Sequence, residues 1–147
     1  MKNHKDKMTI VTSCLEKQRT CYSKILARMK EQKFAIEEGD EERLARVLAE
    51  KDEIIETLRQ LEKKLEKALS GFSENERTAL IRQTENIKEQ IEASLREIIR
   101  VENECALILE KHKDTLGDEM KALQQSKSML KGYGSLFLQS SYFSRNA

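Results

Sequence analysis

The chain has 147 residues, 36% of them charged and 38% hydrophobic, with five glycines, no proline and a net charge of +1. This composition argues against a doubly wound nucleotide fold, and a near-neutral chain has no global field to draw it to nucleic acid or to an anionic membrane. It fits one all-α domain whose partners are found by shape and local apolar surface.

Apolar residues recur at alternating spacings of three and four, the period of helices packed along a seam. A first helix is expected over about 8–38, with Val11, Leu15, Tyr22, Ile25, Met29 and Ile36 on one stripe that Gln18 and Gln32 interrupt. About two apolar positions in seven suit a narrow coiled-coil seam. Gly39-Asp40 punctuates the chain, since glycine can take the left-handed conformation that ends a helix and aspartate can cap the next one. A second helix is expected over 41–69, its stripe formed by Leu44, Val47, Leu48, Ile54, Ile55, Leu58, Leu61, Leu65 and Leu69. Glu41 and Glu42 fall in its first turn, where the helix dipole favours negative charge.

Ser70-Gly71-Phe72-Ser73 makes the second break, and Ser73 with Glu76 has the spacing of a capping box, in which two unpaired amides are satisfied reciprocally. The third helix is expected over 74–131, through Leu80, Ile87, Ile91, Leu95, Ile98, Cys105, Ile108, Leu109 and Leu116, with a break offered at Gly117. Short connections favour antiparallel neighbours. The expected architecture is therefore an elongated antiparallel three-helix bundle or coiled coil, residues 1–131, with a long third helix and an aromatic C-terminal tail, residues 132–147. An unbroken third helix would approach 85 Å, against about 45 Å for each of the others. Its last part needs the tail, a second copy (a homodimer) or a partner to cover it.

The tail stands apart in composition. From Gly132 onward Arg145 is the only charged residue, and Tyr133, Phe137, Tyr142 and Phe143 supply four of the seven aromatics. It reads either as a lid closing one end of the bundle or as a recognition segment. Burying five or six such side chains would contribute about 10 kcal/mol gross, while ordering a dozen backbone residues costs about as much. A segment so balanced can leave its own bundle for a partner.

Catalytic and metal chemistry find no support. Cys14, Cys21 and Cys105 form no CxxC pair, and Cys14 and Cys21 sit two turns, about 10 Å, apart on one helix, too far for a disulfide. They read as buried or half-buried thiols of a reducing cytosol. Cys105 and His112 share a helix face but lack the three- or four-residue spacing of helical ligands, so seam residues are the better reading and no metal or cofactor is expected. His4 is expected in a frayed terminus. The abundant carboxylates are interleaved with Lys and Arg as on a solvated face, and no nucleotide-binding or hydrolase motif occurs. The short basic clusters fall short of a phosphate-tracking stripe, so no nucleic acid is expected. There is no apolar secretory core and no run near the ~20 apolar residues that cross a bilayer, so no membrane insertion is expected.

The run "ILARMKEQKFAIEEGDEERLARVLAEKDEIIETLRQLEKKLEKAL", Ile25 to Leu69, resembles the flagellar export chaperones of the FlgN type. Lys51, Ile54, Ile55, Leu58, Leu61 and Leu65 occupy the family's Lys followed by apolar pairs and a charged heptad run. In "RVENECALILEKHKDTL", Asn103, Leu107 and Leu109 match the family's Asn and leucine-rich turn, and in "MLKGYG", Tyr133 and Gly134 match its Tyr-Gly segment. The family's later glycine is replaced here by "SLFLQSSYF".

The resemblance implies a cytoplasmic, non-enzymatic chaperone of type III export. It would bind the C-terminal helices of hook-filament junction proteins, keep them unassembled and deliver them to the export apparatus. The partner-binding surface expected on this reading comprises Leu123, Met129, Leu130, Tyr133, Leu136, Phe137, Leu138, Tyr142 and Phe143, in which Met129 and the aromatics supply adaptable contacts. The alternatives are a FliT-like chaperone of the filament cap protein and a structural coiled-coil adaptor.

Overall fold

A computed structural model of the chain describes residues 4–111. Three helices follow one another: α1 (His4–Glu38), α2 (Glu41–Leu69) and α3 (Glu74–Lys111). The expected range of α2 and the start of α3 are reproduced. α1 begins at His4, four residues before the expected start, so that His4 belongs to the helix. The continuation of α3 to 131, the break at Gly117, His112 and the tail lie outside the described residues.

The turns follow the local chemistry of their residues. Gly39 sits at φ +68°, a conformation that costs an L-residue about 1–2 kcal/mol, and the chain reverses there within two residues. The amides of Gly39 and Asp40 donate to the carbonyls of Ile36 and Ala35 at 3.1 and 2.9 Å, satisfying the end of α1. The Asp40 carboxylate then accepts from the amide of Arg43 at 3.0 Å and caps α2. At the other end the capping box closes both ways: the Glu76 amide donates to Ser73 Oγ at 3.2 Å and the Ser73 amide to Glu76 Oε1 at 2.9 Å. Phe72 is buried there as a plug. Lys7 of α1 reaches across to donate to the Gly71 carbonyl at 3.0 Å, and lies 3.5 Å from Glu76.

Cross-helix pairs fix the directions. α1 and α2 are antiparallel, since Arg28 meets Glu50 while Gln18, farther from the turn, meets Glu62. α1 and α3 are parallel, since Arg19–Gln90 and Lys33–Glu104 share one offset of 71 residues. The result is an up-down-up bundle. α1 packs along both neighbours, whereas α2 and α3 approach one another less closely.

That central place explains why α1 buries more than a two-in-seven seam. Its main stripe, Met8-Val11-Leu15-Gln18-Tyr22-Ile25-Met29-Gln32-Ile36, is joined by a second, Cys14, Cys21 and Ala35, all under 9% exposed. The outer helices bury one principal stripe each: Leu44-Val47-Lys51-Ile55-Leu58-Glu62-Leu65-Leu69 in α2, and Leu80-Thr84-Ile87-Ile91-Leu95-Ile98-Glu102-Cys105-Leu109 in α3. Leu48 and Ile54, expected in the α2 stripe, flank it half-buried, as Ile108 flanks the stripe of α3.

Candidate functional site

None of the nine residues expected to bind a partner, Leu123, Met129, Leu130, Tyr133, Leu136, Phe137, Leu138, Tyr142 and Phe143, falls within the described residues. What the structure does place is the scaffold from which that segment continues. The positions that carry the family resemblance separate into two groups. Lys51, Ile55, Leu58, Leu61, Leu65 and Leu109 are buried and Ile54 half-buried, so they hold the bundle together. Asn103 and Leu107 are exposed on α3, Leu107 at 60%. With Ile99 at 44%, Leu107 gives α3 two large apolar side chains in solvent on its last described turns.

The sequence reading missed the polar core. Gln18 and Gln32 do not interrupt the stripe of α1; they continue it, buried to 1% and 0% exposure. Each meets a charged residue that occupies a seam position of α2. Gln18 donates through Nε2 to Glu62 Oε2 at 3.0 Å. Lys51, fully buried, donates to Gln32 Oε1 at 2.7 Å, lies 3.2 Å from the Met29 sulfur, and faces the Glu102 carboxylate of α3 at 3.6 Å. The three helices are thus joined at one level by Gln32, Lys51 and Glu102. Charged residues almost never lie fully buried unless paired, and this pairing meets that requirement. The usable signal was the spacing at one place: 44-47-51-55-58 keeps the seam period only if Lys51 is counted in, whereas 58-61-65 and 98-101-105 keep it without Glu62 and Glu102.

Burial governs the electrostatics of this layer. Loss of solvation lowers the Lys51 pKa below its ordinary value, and the neighbouring Glu102 carboxylate opposes that shift. The Cys105 thiol, buried beside the same groups, is pushed up to about 12, chiefly by desolvation and further by Glu102. Burial likewise raises Cys14 and Cys21. All three thiols are free and buried, as expected for seam residues. No group of three or more His, Cys, Asp or Glu able to hold a metal ion occurs among the described residues.

A second charged network lies on the surface where α1 meets α2. Glu31 lies within 3.5–4.0 Å of Arg28, Arg43 and Arg46, and Arg28 bonds Glu50 at 2.7 Å. The Arg43 guanidinium covers the ring of the half-exposed Phe34, 4.8 Å from its centroid. Such exposed networks orient the helices and carry little stability apiece. No described helix is long and apolar enough to cross a membrane.

These features define an up-down-up helical bundle with a polar layer in its seam and apolar side chains left outward near the described end of α3. Residues 8–142 match the family model described as FlgN protein, and the chain belongs to that family, the FlgN-type flagellar export chaperones. No curated protein and no solved structure matches the chain.

Proposed function

We propose that the protein acts in the cytoplasm as a non-enzymatic chaperone that binds the C-terminal helices of hook-filament junction proteins, prevents their premature assembly and delivers them to the type III export apparatus. The observation that carries this reading is the extent of the family match. It runs from residue 8 to residue 142, through the whole bundle and eight of the nine residues nominated for partner binding. The bundle supports it in a simple way. Its hydrophobic seam is filled from within, and the large apolar side chains it leaves exposed among the described residues are Phe34 of α1 and Ile99 and Leu107 of α3.

Junction subunits that assemble through amphipathic terminal helices must have those helices covered before export, and a helix docked by its apolar face on another helix does this. The reading is tested by ending the chain at Lys131. Helicity and thermal stability should stay close to those of the intact protein while binding of the client helix is lost. A large fall in melting temperature would instead make the last residues a lid.

A further inference from the structure

We propose that a second copy of this chain docks antiparallel on the exposed face of α3, about a two-fold axis that passes at Asn103. Along that face run Arg96, Ile99, Asn103, Leu107 and Glu110, at spacings of three, four, four and three residues. All five are exposed, Ile99 at 44% and Leu107 at 60%. At 100° per residue this second seam is centred roughly 120° around the helix from the buried stripe. Its order is symmetric about Asn103: a large apolar residue stands four places to either side, and charges of opposite sign stand seven places to either side. A two-fold interface has that property, because residue i of one copy meets j of the other while j meets i. Laid antiparallel on itself, the seam sets Ile99 against Leu107 twice, Arg96 against Glu110 twice, and Asn103 against Asn103. A parallel pairing would oppose Arg96 to Arg96 and Glu110 to Glu110, so like charges disfavour it.

The polar residues of the seam select this occupant. The apolar face of a client helix would cover Ile99 and Leu107 but leave the Asn103 amide out of water without a partner, which costs its full desolvation. Two asparagines at an axis satisfy one another, since each side-chain amide carries both donors and an acceptor. A single Asn in an apolar seam sets register in coiled coils by the same means. Arg96 is able to turn toward a second copy: its side chain is 77% exposed and its ion pair with Glu92 is long, at 3.8 Å. From Arg96 to Glu110 the seam spans about 21 Å, so the association belongs to the weak, reversible class of small interfaces. The inference concerns α3 alone and does not depend on which client is bound.

Sedimentation equilibrium of the full-length chain over a concentration series tests this, and a reversible monomer–dimer equilibrium is expected. Leu107→Arg should weaken it about tenfold or more, by burying an unpaired charge, while far-UV circular dichroism stays unchanged because the residue is exposed in the monomer. Arg96→Glu should weaken it as well, and the exchange Arg96→Glu with Glu110→Arg should restore it. Oxidative cross-linking with peptide mass mapping, which separates new thiols from Cys14, Cys21 and Cys105, reads the direction. A mixture of Ile99→Cys and Leu107→Cys chains should link 99 to 107. Leu107→Cys alone should link poorly, its two thiols lying about 12 Å apart along the seam. A protein still monomeric at about 1 mM would overturn the proposal. Protection of a Leu107→Cys thiol from alkylation would then give the face to the chain's own C-terminal segment, and loss of client-helix binding in Leu107→Arg would give it to the client. A dimer that Leu107→Arg and the charge variants leave intact, or one that links 107 to 107, would overturn it equally.

Discussion

Replacing Glu102 by Leu should destabilise the protein at neutral pH although it adds apolar surface to the core. In the native layer the Lys51 ammonium lies 3.6 Å from the carboxylate, and at an effective dielectric of 20 that separation corresponds to an attraction of about 5 kcal/mol. Removing one member of a buried pair typically costs about 3–5 kcal/mol, because the remaining charge stays desolvated. In a protein of this size such a loss lowers the melting temperature by roughly 6–20 °C.

The dependence on pH distinguishes this cause from poor packing. Lys51 has its pKa lowered in the folded state and regains the ordinary value on unfolding, so over the interval between the two the unfolded chain binds more protons and stability rises with pH. Without Glu102, whose charge opposes that lowering, the folded pKa drops further and the rise begins at lower pH. The deficit of the variant should therefore shrink as pH increases toward the unfolded value. Urea denaturation followed by circular dichroism at several pH values measures this directly. A loss below about 1 kcal/mol at pH 7, or a deficit that does not change with pH, would refute the reasoning.

Gly39→Ala should cost about 1–2 kcal/mol, because φ +68° is strained for an L-side chain although no atom lies within 4 Å of an added Cβ; an unchanged urea midpoint would contradict this. Ser73→Ala removes the hydroxyl that accepts from the Glu76 amide and should cost about 0.5–2 kcal/mol, with exchange of the first α3 amides accelerated in hydrogen-exchange mass spectrometry. The three thiols should stay unreactive toward a disulfide reagent at pH 8 until denaturant is added, since all are buried with raised pKa; rapid reaction of Cys105 in the folded protein would contradict its placement.

Much of the bundle is legible in the chain because its signals are local. Gly39-Asp40 and Ser73-Glu76 specify the turns through single residues whose conformational freedom or capping oxygen has few alternatives, and both act as expected. The stripe residues Val11 to Ile36 and Leu80 to Leu109 repeat with the helical period and are found in the core, except Ile108, which packs half-buried against it. The polar layer was not read because a charged side chain is ordinarily a surface residue, and only its partners on two other helices make Lys51 an exception. Those partners are distant in sequence: Gln32 lies 19 residues away and Glu102 is on a different helix. Cys14, Cys21 and Ala35 form a second stripe because α1 is enclosed from two sides, a fact of topology that no single helix announces.

The nominated partner-binding residues rest on composition and resemblance, so the most direct measurement is titration calorimetry of the intact protein and of a chain ending at Lys131. The titrants are peptides from the C-terminal helices of flagellar junction and cap proteins. The account predicts that the intact protein alone binds a junction peptide, with the negative heat-capacity change of apolar burial. Equal binding by both chains would move the site onto the bundle, and binding of neither peptide by the intact protein would contradict the chaperone reading of its clients.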